Sequence, residues 1–526
     1  MESNIEMYSE GQGQKKSLWA ATCEIEKRDP LLEEYSESEA VIIGAGMAGV
    51  LTGCMLQEKG IDTVIVESCR IGGGVTGYTT AKITSQHNLI YDRLITDLGI
   101  KKARQYATAN QNAIDGFRRF VRDKAIDCGL EDRPAYLYTL KAERIKDLEN
   151  ESESAKKLGI PNTLLKKPGS CGADGWGLPF SAEAALKFYD QAQFHPLKFL
   201  GPITNSLKIY ENTKVIDVLP AESGTAPNKS GKSIVVTERG KIAARYVVFT
   251  CHYPFLILPG YYFARQYQDR AYILALSAAS QVNGLYIGID QPAWSFRNYE
   301  DLLLFAGGSH RTGQNEKGGN YQAMRDEAKK LFPEAKECYA WSTQDCMPLD
   351  GVPYIGQYAG DKPGWFVATG FQKWGMTSSM IAADIISSDI LNKPYEIAKE
   401  GAEVFSPQRF TAPKSYNELW EDVKIIGSGL LREIFSIPEK EAAAVMPQHG
   451  GVVEYDGKKS SVFRDDNNTL HAVFSKCTHM GCQLAWNPEE KSWDCPCHGS
   501  RFNIGGHVVS GPAVKDLERV DKNAIK

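Results

Sequence analysis

The sequence predicts an α/β fold, with a second, mixed-sheet domain interleaved into it and a small all-β module at the C-terminal end. Three observations predict it. Near residue 40 an apolar run, "AVII", breaks at "GAGMAG", hands over to an amphipathic segment from Met47 to Lys59, and after Gly60 meets a second apolar run, "DTVIVE". Strand, glycine turn, helix and strand in that order make a βαβ unit. The middle of the chain mixes charged helical stretches with strand-like runs. From about Ile437 the pattern changes to short alternating runs ("GGVVEYDG", "KSSVFRDDNNTL", "HAVFSKC") separated by Asp-Gly and Asp-Asp-Asn-Asn turns, as in a small antiparallel module.

Taken in order, residues 1–37 read as an N-terminal arm whose Leu18 and Trp19 dock on a domain surface. The first strand is expected at Ala40 to Ile43. Helices follow at "NAIDGFRRFVRDKAID" and "AERIKDLENESESAKKL", and strands at "KVIDVLP", "SIVVTE" and "RYVVFT". A second block of strands follows at "YILALSAA", "GLYIGID" and "LLLFAGGS". The strand "GWFVATGF" then leads through "QKWGMT" into a helix, "SSMIAADIISSDIL", repeating the strand, glycine turn, helix order of the start. The large unit is expected over 38–405, with its nucleotide-binding part at about 38–130, 190–255 and 340–405 and its substrate part at about 131–189 and 256–339. Residues 406–436 read as a linker and 437–526 as the all-β module.

At 526 residues the chain is long enough for about three units, by a prior of roughly 100–200 residues each. Its formal charge of −5 and the lack of a basic stripe argue against nucleic acid and anionic membrane as partners. No window approaches the roughly 18 consecutive apolar residues of a membrane span, and the polar start does not read as a signal peptide. A cytoplasmic protein is expected. Eight of the twelve cysteines are scattered as in reduced cytosolic proteins, and the last four are grouped.

Within "GAGMAG" (Gly44, Ala45, Gly46, Met47, Ala48, Gly49) the three glycines allow a tight turn, close backbone approach to a pyrophosphate and close packing of helix on strand. The helix N-terminus then faces phosphate charge. Glu67 ends the second strand, placed to accept hydrogen bonds from a ribose diol. Beyond Glu67, "RIGGGVTGYTTAK" resembles the second cofactor-contacting loop of the D-amino acid oxidase-like flavoproteins. "AQFHPLKFL", "IYENTKV", "WSTQDCMPLDGVPYIG" and "VATGFQKWGMT" agree with that resemblance. It implies a Rossmann-like FAD-binding domain with an interleaved substrate domain. It also implies FAD contacts at Gly44, Gly46, Glu67, Gly74, Thr76, Thr79, Thr80, Val215, Gly370, Gly375, Met376 and Thr377. If "GMT" opens a helix, its free N–H groups stabilise negative charge on a reduced flavin. No second G-x-G-x-x-G unit appears, so electrons are expected straight from an organic substrate.

The substrate site is less legible. Arg297, His310 and Arg311 are candidates to anchor a substrate carboxylate. His195 reads as a structural residue ahead of a helix, and Lys82 and Lys373 as residues near the flavin ring. No catalytic base is assigned.

In the C-terminal module, "CTHMGC" and "CPCHGS" each offer one thiolate and one imidazole: Cys477 with His479, and Cys495 with His498. Zinc fingers usually group two cysteines in one pair and two histidines in the other. Mixed pairs suit a cluster wedged between two loops, one iron taking both cysteines and the other both histidines. Zinc is the alternative. The flanks, with "SGPA" at Ser510 to Ala513, resemble the Rieske [2Fe–2S] family. That resemblance implies a disulfide between Cys482 and Cys497, and tuning of the cluster by Ser500. Phe502 stands where high-potential relatives have a tyrosine that donates to a ligand sulfur, so a lower potential is expected, within the family range of about −150 to +300 mV.

The combination implies a FAD-dependent dehydrogenase that oxidises an amine or amino-acid-like small molecule. Electrons then pass singly through the Rieske cluster to an external acceptor, a protein or a quinone. Two alternatives are a reductase with the flow reversed, and a flavoprotein oxidase with a redox-sensing or structural Rieske module.

Overall fold

The computed structural model describes residues 16–166, 177–220, 231–409, 445–455 and 458–520. Residues 1–15 of the expected arm, 410–436 of the expected linker, and 437–444 and 521–526 of the C-terminal module lie outside the described residues.

Five strands of the first sheet run parallel, in the order Lys208–Tyr210, Thr63–Val66, Tyr35–Ile43, Lys241–Phe249 and Trp365–Thr369. Tyr354–Gln357 closes the edge antiparallel, and the hairpin of Val215–Leu219 and Ser233–Thr237 joins Lys241–Phe249. The central strands are apolar without alternation because helices cover the sheet. The first strand starts five residues before the expected Ala40, since the polar stretch from Tyr35 to Ser38 pairs with Lys241 to Ala244. Pairing with a neighbour, rather than its own hydrophobicity, extends it. Helix Gly375–Leu391 is buried on nearly every side, packed between helices Met47–Gln57 and Tyr91–Asp123. Its small residues, "IAAD", permit the close approach.

The second sheet has nine strands, in the order Lys336–Pro348, Gln266–Ser277, Leu302–Arg311, Ser295–Tyr299, Leu285–Gly288, Glu131–Thr139, Ala184–Gln193 and Lys82–Ile83, with Asn162–Lys166 added against Ala184–Gln193. Two of these strands cross the boundaries expected from sequence, and a third joins the other part's sheet. Lys336–Pro348 is a single strand paired along its length with Gln266–Ser277, so the second sheet runs past residue 340 to Pro348. Ala184–Gln193 runs past 190, and Lys82–Ile83 leaves the nucleotide-binding part to pair with it.

Within the described part of the arm, Leu18 and Trp19 dock on the domain and join its core. Trp19 is fully buried and its indole N–H donates to Thr79 O at 2.7 Å, while the Ser17 hydroxyl donates to Gly77 O at 2.5 Å. The helix Leu18–Thr22 therefore braces the 77–79 loop.

The C-terminal module pairs a three-stranded antiparallel sheet (Gly450–Tyr455, Lys458–Arg464, Leu470–Phe474) with a four-stranded one (Ala485–Asn487, Ser492–Asp494, Arg501–Asn503, Val508–Ser510). It docks on the second sheet. The buried Glu490 carboxylate takes the guanidinium of Arg270 and the Ser342 hydroxyl from that sheet, and Arg501 from its own module at 2.7 Å. Glu489 accepts the Tyr321 N–H at 2.9 Å and the Asn315 amide at 2.7 Å. It thereby caps helix Asn320–Leu331, whose own N-cap, Gly319, has no side chain to do so.

Removing one partner from a buried ion pair strands the other's charge, at a cost of about 3–5 kcal/mol. Glu490→Leu is therefore expected to lower unfolding free energy by about that much, measured by chemical denaturation of the full chain. A loss below about 1 kcal/mol is what an exposed pair gives, and would show that the docking does not depend on this carboxylate.

Candidate active site and metal centre

The glycine turn closes on itself. Gly44 has φ +108°, and a Cβ on Gly49 would sit 1.9 Å from Gly44 O, so neither position accepts a side chain. The Met47 N–H, at the start of its helix, donates to the Thr76 hydroxyl at 3.0 Å. The Glu67 carboxylate accepts from Ala45 N–H at 2.8 Å and Cys69 N–H at 2.9 Å. Thr213 N–H donates to Glu67 O at 2.8 Å, which brings Val215 to the same end. Gly44, Ala45, Gly46, Met47, Ala48 and Gly49 thus form one tight backbone cradle with Glu67 and Thr76 against it, and Val215 lies two residues beyond Thr213. This fits a dinucleotide's phosphates and ribose.

Gly74 opens the turn Val75–Tyr78, which delivers Thr79 and Thr80 to Ala81. Across from it, Gly370 has φ +71°, and its Cβ position lies 3.2 Å from Gln266 Oε1 and 3.3 Å from Pro348. The helix then begins at Gly375 with no side-chain cap from Trp374, leaving the first N–H groups, of Gly375, Met376 and Thr377, without partners inside the helix. The Thr377 hydroxyl donates to Thr84 O at 3.3 Å, joining this helix start to the segment after the loop.

The three candidate substrate anchors do not meet there. Arg297 is fully buried, donating to Ala81 O at 2.6 Å and to Asn298 O at 3.2 Å, with its guanidinium 5.3 Å from the Trp19 ring centroid. Its reading as a carboxylate anchor gives way to a structural one: it holds the backbone just after Thr80. The His310 ring contacts the Tyr272 hydroxyl at 2.9 Å and Arg311 O at 2.9 Å. Arg311 lies over the Tyr267 ring, 4.8 Å from its centroid, and reaches Cys497 O at 3.4 Å, so it faces the C-terminal module. His195 is the N-cap of helix Pro196–Thr204, its Nδ1 accepting from Lys198 N–H at 3.2 Å. Lys82 donates to the Ser295 hydroxyl, and burial, with Arg297 beside it, pulls its pKa down to about 7. Lys373 donates to Ser309 Oγ at 2.5 Å.

Sequence reasoning missed Gln86 and His87. The His87 ring stacks on Trp374 at 4.7 Å between centroids, and its Nδ1 accepts from the Tyr106 hydroxyl at 2.6 Å while Nε2 donates to Thr84 O. Burial holds its pKa down near 3, so it is neutral. The one signal available was position, "SQH" coming soon after the loop expected to contact flavin.

In the C-terminal module, Cys477, His479, Cys495 and His498 converge from two loops. The buried Cys477 and Cys495 thiols face each other, and the S–H of Cys495 holds the Cys477 thiol below its ordinary range. The histidine rings stand 5.0 Å apart at 83°. His479 Nδ1 and His498 Nε2 are buried without hydrogen-bond partners among the described residues. Burial keeps both rings neutral, with pKa values near 4 and 3. Two sulfurs and two neutral imidazoles with unpartnered nitrogens fit a two-iron cluster. Cys482 and Cys497 are joined by a disulfide, so their sulfurs, though close to that of Cys495, are not offered as ligands. The Ser500 hydroxyl donates toward Cys477 and accepts Ala513 N–H at 3.0 Å. Phe502 is fully buried in the same apolar cluster.

Fold and sites together define a flavin-dependent oxidoreductase carrying an iron–sulfur module. The model of the FAD dependent oxidoreductase family matches residues 39–388, and that of the Rieske [2Fe-2S] domain matches 437–521. The chain belongs to the FAD dependent oxidoreductase family and carries a C-terminal Rieske domain. It is 36% identical over 505 residues, covering 94% of this chain and 95% of the other, to a putative Rieske 2Fe-2S iron-sulfur protein, YhfW, of Bacillus subtilis. Among solved structures it is similar to L-proline dehydrogenase from P. horikoshii (16% identity, TM-score 0.59, 71% of this chain and 98% of that one). It is also similar to glycine oxidase from Geobacillus kaustophilus (18%, TM-score 0.57, 72% and 100%). Cofactors follow from the family: FAD and a [2Fe–2S] cluster. No helix among the described residues is long and apolar enough to cross a membrane.

Ser500→Ala removes a donor that favours the more negative, reduced cluster. Its midpoint potential is expected to fall by roughly 20–60 mV in a redox titration, the equivalent of about 1 kcal/mol. Phe502→Tyr is expected to raise the potential by a comparable amount.

Proposed function

We propose that the chain is a dehydrogenase that oxidises an amine or amino-acid-like small molecule in its flavoprotein unit and delivers the electrons one at a time, through its Rieske module, to an external acceptor. The observation that carries this reading is a single strand, Gln266–Ser277, which touches both sites. Its Gln268 amide donates to the carbonyl of His498, a cluster ligand, at 2.6 Å. Two residues earlier, on the same face, Gln266 donates to the Thr369 hydroxyl at 3.4 Å beside the Gly370 turn. Two hydrogen bonds and one pleat repeat of the strand join the His498 loop to the Gly370 turn.

FAD would be held by the Gly44 to Gly49 cradle, Glu67, Thr76 and the helix start at Gly375 to Thr377, and the cluster by Cys477, His479, Cys495 and His498. When bound, FAD supplies two-electron oxidation and the cluster one-electron transfer. With FAD bound there, the positive partial charge of this helix start would favour the negative charge that reduction adds. The substrate class is supported by the amino-acid enzymes among the structural neighbours, L-proline dehydrogenase and glycine oxidase. His498 is buried against the flavoprotein unit, with Phe263 edge-on at 5.8 Å. His479 is half-buried between the exposed Thr478 and Met480, which makes it the side offered to an acceptor protein or quinone. The exposed free thiols of Cys69 and Cys338 fit a reducing, cytoplasmic setting.

An anaerobic screen of amines and amino acids is expected to find one that bleaches the flavin absorbance first and brings up the reduced-cluster EPR signal second. A flavin that is reduced while the cluster stays oxidised would refute the proposal. Gln268→Leu should slow the second phase about tenfold and leave the first unchanged, read by stopped-flow absorbance.

A further inference from the structure

Gln86 is completely buried, yet neither its amide nitrogen nor its amide oxygen has a hydrogen-bond partner among the described residues. Among the described residues it is the only buried side-chain amide unpartnered at both atoms. Neighbours on both sides are fully engaged. Thr84 and Ser85 bind the Gln191 side chain at 2.8 and 2.6 Å, and His87 binds Tyr106 and Thr84 O, each at 2.6 Å. The backbone of Gln86 is fixed as well, its N–H donating to the Thr84 hydroxyl at 2.9 Å. A long polar side chain buried this way costs stability unless something satisfies it.

Its position says what that is. Thr84 O takes the Thr377 hydroxyl at 3.3 Å, His87 Nε2 lies 3.4 Å from the same hydroxyl, and the His87 ring stacks on Trp374. The segment bearing Gln86 is therefore stitched to the uncapped start of helix Gly375–Leu391. A flavin ring ends in an imide edge, an N–H flanked by two carbonyls. A carboxamide complements that edge with one acceptor and one donor side by side.

We propose that Gln86 is a flavin-binding residue, its Oε1 accepting from the imide N–H and its Nε2 donating to an adjacent carbonyl. This rests on the reading that FAD occupies the cradle described above. It adds a contact that neither the glycine motif nor the loop resemblance assigns, and it gives the orphaned amide a purpose. A site built for a ligand carries unsatisfied groups when empty, so the residue should weaken the apoprotein while strengthening the complex.

Gln86→Leu in the full chain tests this by opposite signs. FAD affinity, from fluorescence titration of apoprotein, is expected to fall about tenfold to a hundredfold. The apoprotein's melting temperature should stay the same or rise, and the visible spectrum of bound flavin should shift. Gln86→Glu keeps the shape and loses the donor. It should also bind FAD more weakly and lower the flavin's midpoint potential, which covers the case in which the leucine variant does not fold. Affinity within about twofold of wild type, or a less stable apoprotein with unchanged affinity, would overturn the proposal and make Gln86 a water-bridged structural residue. Unchanged FAD affinity with an altered substrate KM would overturn it in favour of a substrate contact. If wild type itself binds no FAD, the functional reading fails instead, and the two failures are told apart.

Discussion

The arrangement of this protein depends on one buried carboxylate. Glu490 is shared by Arg270 and Ser342 of the flavoprotein sheet and by Arg501 of its own module, and Arg501 also binds Asp494 at 3.0 Å. Two guanidinium groups and a carboxylate removed from water are stable only with complete mutual satisfaction, and that demand fixes geometry more strictly than apolar packing does. The same contact face places backbone against side chain at close range. A Cβ on Gly313 would meet Pro496 N at 2.6 Å, and one on Gly499 would meet the Gln268 side chain at 2.7 Å. Gln344 then donates to Gly499 O at 2.9 Å and to Gln268 Oε1 at 2.5 Å. Glycine at these two positions is what lets the cluster loops reach the sheet.

The sequence made legible whatever is local. The glycine cradle, Glu67, the helix opened by "GMT" and the paired cysteine–histidine loops are short-range patterns whose chemistry dictates spacing. Pairing between distant strands was not legible. The polar start of the first strand is held by Lys241 to Ala244, and Lys336–Pro348 belongs to the second sheet because Gln266–Ser277 lies beside it. Neither fact has a signal within its own window. The candidate anchors failed for a related reason. An arginine's role depends on which carbonyls surround it, and Arg297 found Ala81 O and Phe194 O instead of open space. Trp19 was expected to dock on a domain surface, but its partner there could not be read from sequence. It is buried because Thr79 O, sixty residues away, requires a donor.

Docking through desolvated polar partners has a consequence for electron flow. Separating the modules would expose Arg270, Glu490, Gln268 and Gln344 with their partners gone, each needing rehydration at once. On the proposed electron path, a module held this way stays docked rather than swinging between donor and acceptor. Entry and exit of electrons would then use different sides of one cluster, and the two histidines proposed as ligands differ in just this respect. His498 is sealed beneath Phe263 and Gln268, with Arg311 alongside at Cys497 O. His479 stands between exposed residues. The disulfide of Cys482 with Cys497 ties the two ligand loops together, so the sealed side and the open side move as one body. On the proposed reading an acceptor would therefore have to come to the protein, and the surface offered to it would be the one around His479 and Met480.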